Sequence, residues 1–152
     1  VADYMNALAA RGRYTVKPET ARKIASEFAC GFCGDEDTEK TIAQLFAEQG
    51  YLLDTHTAVA WNVAGRYRAK AGSDRPLVVV STASPFKFCK SVLEALGETS
   101  FAAGTDIIAQ LAQKTGKPAP APLADLAGKA VRFTDVTGKD EMAQVVTEFL
   151  RA

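Results

Sequence analysis

Apolar positions recur at helical spacing along most of the chain, and the breaks between them carry Gly, Pro and Asp, residues that begin or end helices. A short helix is expected from Asp3 to Arg11, stopped by Gly12. A second follows Pro18, with Ile24, Ala25 and Phe28 on one face. Phe28 to Cys33 reads as a brief extended piece. Thr41, Ile42, Leu45 and Phe46 then mark a helix that starts at Asp35 or Asp37 and ends at Gly50. Asp54 or Thr55 can accept the first free amides of a helix from His56 to Lys70, whose apolar stripe is Val59, Val63 and Tyr67. After a turn at Gly72 to Pro76, further helices are predicted over Phe86 to Leu96, Thr105 to Lys114 and Lys139 to Leu150.

Leu77-Val78-Val79-Val80 breaks this rhythm, because it lacks polar alternation and suits a strand covered on both faces, as in parallel sheets. Ligands of such sheets sit beyond the carboxyl ends of the strands. Ser81, Thr82 and Ser84 fall there, and Pro85 suits a first helical position. Ala130 to Phe133 reads as a short edge strand. The expected fold class is therefore α/β: helix-rich, with few short strands. One strong strand does not make a sheet, so residues 1–152 read as a single partial domain of a larger α/β protein. Residues 116–124, rich in Pro, read as an extended surface connector.

Composition narrows the function classes. Eighteen basic and eighteen acidic side chains cancel, and no Lys/Arg stripe is interleaved with aromatics, so nucleic acid is not an expected partner. No apolar stretch approaches the roughly 20 residues that cross a bilayer. A cytoplasmic protein with no membrane association is the expectation.

Cys30-Gly31-Phe32-Cys33 is a C-x-x-C, and Cys89 with His56 would complete a three-Cys, one-His zinc set. Zinc modules usually bring two closely spaced pairs, and only one is present, so the expectation is three reduced structural thiols and no metal. A thioredoxin-like redox pair would need a strand before the motif. His56 alone defines no triad, and its residue chemistry reads first as a capping or partly buried histidine, ahead of a catalytic role.

Asp54-Thr55-His56-Thr57-Ala58-Val59-Ala60, followed by Val80-Ser81-Thr82-Ala83-Ser84-Pro85-Phe86-Lys87-Phe88, resembles the carboxyl-terminal part of threonine synthases. Gly50-Tyr51 and Ser91 to Leu96 fit the same family. The resemblance covers most of residues 35–97 and fades after about Gly104. Many members carry His where this chain has Ser84.

The resemblance implies a pyridoxal-phosphate enzyme of fold type II, a three-layer αβα parallel-sheet architecture, of which this chain is a distal fragment. The activity implied is a lyase-type conversion of O-phospho-L-homoserine and water into L-threonine and phosphate, in threonine biosynthesis. Thr82, with Ser81 beside it, is the implied contact to the cofactor ring nitrogen. Ser84, Lys87, His56 and Thr57 are candidates to line the site. The Schiff-base lysine and the phosphate-binding Gly-rich loop lie upstream in the family. No catalytic residue is therefore expected here, the cofactor is not expected to be bound covalently, and the isolated chain is expected to be inactive. The missing amino-terminal part of the enzyme is the expected partner, and a homo-oligomer is left open. A non-catalytic interaction module is the alternative from another class, ahead of a Cys/His zinc or redox module.

Overall fold

The computed structural model describes residues 1–72 and 74–151, and Ser73, inside the turn expected at Gly72 to Pro76, lies outside them. The elements are helical throughout: α1 (Ala2–Arg11), α2 (Pro18–Glu27), α3 (Asp35–Gln49), α4 (Thr55–Ala71), α5 (Cys89–Ala95), α6 (Asp106–Thr115), α7 (Ala121–Ala124) and α8 (Met142–Phe149). Single 3-10 turns occupy Pro85–Lys87, Asp125–Gly128 and Lys139–Glu141.

The helix boundaries follow local chemistry. Gly50 and Gly116 end α3 and α6 in the left-handed conformation, with φ of 65° at both, and their amides bond back to Phe46 O and Ala112 O. Asp54 caps α4, accepting from the amides of His56 and Thr57. The helix expected over Phe86 to Leu96 is instead a 3-10 turn and a separate seven-residue helix, joined at Phe88 with ψ 39°.

The sheet expected from the sequence is absent. Among the described residues there is no strand, and the chain is helical where it has regular structure, which overturns the α/β parallel-sheet reading. Leu77 to Val80 is unpaired, and Val78 and Val80 are 83% and 70% exposed. Ala130 to Phe133 is likewise unpaired and exposed. The reason is non-local: a β-branched run favours an extended backbone, but its N–H and C=O groups make a strand only beside a second extended segment. Neither run forms a ladder with a second segment among the described residues.

The core lies where α3, α4, α5 and α6 meet. Ile42, Leu45, Leu53, Ala58, Phe86, Cys89, Val92, Leu93, Ile108 and Leu111 form one buried cluster. On α4 the buried residues are Thr57 and Ala58, whereas the expected stripe of Val59, Val63 and Tyr67 is half-buried to exposed. Buried threonines on α3 are satisfied within the helix, Thr38 donating to Gly34 O at 2.8 Å and Thr41 to Asp37 O at 2.6 Å. Asn62 Nδ2 donates to Thr41 Oγ1 at 3.0 Å, which ties α4 to α3. Gln110 on α6 holds the preceding loop, its Oε1 accepting from Ala102 N and its Nε2 donating to Ser100 O, each at 2.8 Å.

The Pro-rich stretch runs without regular structure to Pro120 and then makes the single turn α7, from which Leu123 packs against the core. Helices α1, α2 and α8 contribute no buried residue.

Candidate functional site

Two stretches far apart in sequence meet where α4 begins. The chain from Leu53 enters α4 through Asp54, which is 1% exposed and whose Oδ1 accepts from His56 N at 2.9 Å and Thr57 N at 3.2 Å. Its Oδ2 accepts from the hydroxyl of Thr57, itself buried. Thr57 Oγ1 in turn lies 3.2 Å from Ser81 Oγ. The first turn of α4 is thereby joined to the segment that follows the apolar run.

A second contact runs parallel to the first. The rings of His56 and Phe88 stand 5.0 Å apart, tilted by 54°. His56 keeps 64% of its side chain exposed and places Nδ1 3.4 Å from Asp54 Oδ1. Between these contacts the backbone turns at Ser84, whose Oγ accepts from Phe86 N at 3.3 Å, and Pro85 opens the 3-10 turn. That turn buries Phe86 in the core, so the loop that carries the hydroxyls is anchored from beneath.

The candidate residues are thus distributed unequally. His56, Thr57 and Ser81 are gathered at the start of α4, with Phe88 beside them. Thr82 follows Ser81, is exposed, and has no hydrogen-bond partner among the described residues. Ser84 serves as a cap. Lys87 is exposed and lines a different groove, between the 3-10 turn, α5 and α6, where Phe88, Ile107 and Leu123 are neighbours. Asp54 and Phe88 were not singled out as site residues from the sequence. The Asp-x-x-Thr spacing of a capped helix was the available signal for the first, and nothing local signals the second.

The cysteines do not converge on His56. Cys30 is exposed, Cys33 is half-buried, and Cys89 sits in the core, where its thiol donates to Phe86 O at 3.1 Å. Burial pushes the Cys89 thiol above its ordinary pKa. Among the described residues no group of three or more His, Cys, Asp or Glu side chains is placed to hold a metal ion. Nor, among them, is any helix long and apolar enough to cross a membrane.

Ser81 and Thr82 present adjacent hydroxyls at the open end of an anchored loop, and Thr82 has no hydrogen-bond partner among the described residues, a donor of the type that a pyridine nitrogen takes. Comparison with known proteins identifies the family. A family model described as "Threonine synthase, C-terminal" matches residues 57–149. Threonine synthase of Pseudomonas aeruginosa is 35% identical over 98 residues, covering 62% of this chain and 20% of that protein. Threonine synthase of Corynebacterium glutamicum is 37% identical over 78 residues, covering 50% and 16%. The crystal structure of pyridoxal-phosphate-bound threonine synthase from Brucella melitensis superposes with a TM-score of 0.71 at 30% identity, over 99% of this chain and 27% of that one. The chain thus spans a fifth or less of the length of the curated relatives it matches. With the match running from Thr57 of the hydroxyl cluster through Phe149 of α8, the chain belongs to the threonine synthase carboxyl-terminal family.

Proposed function

We propose that this chain acts as the carboxyl-terminal part of a threonine synthase, a pyridoxal-phosphate-dependent lyase that converts O-phospho-L-homoserine and water into L-threonine and phosphate. The observation that carries the reading is the Thr57–Ser81 contact at 3.2 Å, which unites the two family-like stretches in one side-chain cluster. When bound, the cofactor supplies the electron-withdrawing ring that stabilises carbanions. The part of this chain is to hold that ring: Thr82 offers a hydroxyl to its nitrogen, Ser81 stands beside it, and His56, Thr57 and Ser84 flank the loop. Lys87 belongs to the edge of the site at most, since its groove opens toward α6.

The partner in this reading is the amino-terminal part of the same enzyme, which brings the Schiff-base lysine and the phosphate-binding loop. Exposed apolar side chains support it. Val78, Phe133, Val136 and Phe149 are each more than 70% exposed, more apolar surface than the small α3–α6 core can cover. The working compartment is the cytoplasm.

Phosphate release from O-phosphohomoserine, with added pyridoxal phosphate, tests the proposal. The product of the whole gene should turn over, and the 152-residue chain alone should not. No turnover by the whole gene product, or turnover by this chain alone, would overturn it.

A further inference from the structure

Asp54 is the only buried carboxylate among the described residues, and the bonding around it has a direction. A hydroxyl has one proton to give, and a carboxylate has none. Thr57 therefore gives its proton to Asp54 Oδ2 and faces Ser81 Oγ, 3.2 Å away, as an acceptor. The proton of that contact comes from Ser81. The other acceptor within reach, the carbonyl of Ala83 at 3.4 Å, would draw the same proton back into the chain. Under either pairing Ser81 turns lone pairs, and no proton, toward its open side. Thr82, exposed and unpartnered among the described residues, keeps its proton.

We propose that Asp54 is a positioning residue: acting through Thr57 it fixes Ser81 as a hydrogen-bond acceptor, so that Thr82 alone of the two adjacent hydroxyls donates to a ligand at this loop. The relay stands on this chain's own contacts, whereas naming the ligand atom as the cofactor's ring nitrogen rests on the function proposed above. In that setting the two hydroxyls are not interchangeable. Thr82 is the one that can donate to an unprotonated ring nitrogen, and Ser81 can only accept.

Asp54→Asn keeps the cap acceptor Oδ1 but confronts Thr57 with an amide donor, which reverses the relay. Thr57→Val cuts the link and leaves the cap intact, so it serves where Asp54→Asn folds poorly. Urea unfolding of this chain, followed by circular dichroism, gives unfolding constants for Asp54→Asn, Ser81→Ala and the double variant, each with and without Thr57→Val. With Thr57 present the two effects should depart from simple multiplication by threefold or more, and with Thr57→Val they should multiply within about twofold, as for sites without a shared partner. Simple multiplication in both backgrounds would overturn the relay. In the whole gene product carrying pyridoxal phosphate, Thr82→Val should displace the cofactor's absorption maximum more than Ser81→Ala, and the reverse order would overturn the donor assignment. Failure of the cofactor to bind at all would overturn the functional reading instead, while the unfolding cycle still decides the relay.

Discussion

Gly31 and Val63 touch at a distance that leaves no room for a side chain: a Cβ on Gly31 would stand 2.7 Å from Val63 Cγ1. The C-x-x-C loop thus lies on α4 at backbone distance. One turn further along, Arg66 Nη2 donates to the carbonyl of Phe32. These two contacts lead the chain from α2 across α4 and into α3, and they cover part of the valine stripe on α4 that the core leaves open.

Gly31→Ala should accordingly loosen the loop. Val63 is β-branched and stiff about χ1, so the clash cannot be relieved by rotation. Overpacking of this kind costs typically about 1–3 kcal/mol. Denaturant unfolding should place the variant in that range, and Val63→Ala in the same molecule should recover most of the loss. Additive losses from the two changes would contradict the contact.

Asp54→Ala should destabilise more than an ordinary surface change, because it removes the α4 cap and leaves the buried Thr57 hydroxyl without its carboxylate. Loss of a cap costs about 0.5–2 kcal/mol, and a buried polar group left unpaired about 1–3 kcal/mol. A loss of about 2–4 kcal/mol in urea unfolding is expected. A change below about 0.5 kcal/mol would mean that Asp54 neither caps nor accepts.

The parts of this architecture that were legible in the sequence are those governed by neighbours in the chain. Gly12, Gly50 and Gly116 end their helices because a left-handed residue is needed there, and Asp54 starts α4 because a short acceptor must meet two free amides. The parts that were not legible depend on distant partners. Leu77 to Val80 carries the composition of a buried strand and has no neighbouring strand to pair with among the described residues. Val59, Val63 and Tyr67 make a regular stripe, yet α4 buries Thr57 and Ala58, because Asp54 and Ser81 satisfy the threonine and the small alanine joins the buried cluster. The Thr57–Ser81 contact spans 24 residues and has no local signature. The resemblance brought both stretches to attention without saying that they touch.

Thiol chemistry should separate the three cysteines. A maleimide or disulfide reagent at neutral pH should modify Cys30 fastest, being exposed, and Cys89 slowest, since burial both shields it and holds it in the protonated form. The raised pKa also fixes a sign. The folded state disfavours the Cys89 thiolate, so its contribution to stability is complete below the unfolded-state thiol range of about 8.5 and is lost as pH rises through the higher folded-state value. Cys89→Ala should flatten the decline of stability above pH 8.5. An unchanged slope, or Cys89 reacting as fast as Cys30, would contradict its burial.

The contrast between Leu93 and Val78 tests the helical core against the sheet that the sequence suggests. Both are aliphatic. Leu93, on α5, is 0% exposed at the centre of the α3–α6 cluster, and truncation to Ala should cost about 2–5 kcal/mol by removing buried contacts and leaving a cavity. Val78 is 83% exposed in the unpaired run, and Val78→Ala should change stability by no more than about 0.5 kcal/mol. Were Leu77 to Val80 a central strand covered on both faces, Val78→Ala would cost far more than that, with the loss of a packed side chain from a sheet. Urea unfolding of the two variants side by side decides the matter. A large loss at Val78 would restore the sheet, and a small loss at Leu93 would remove the helical core as the source of stability.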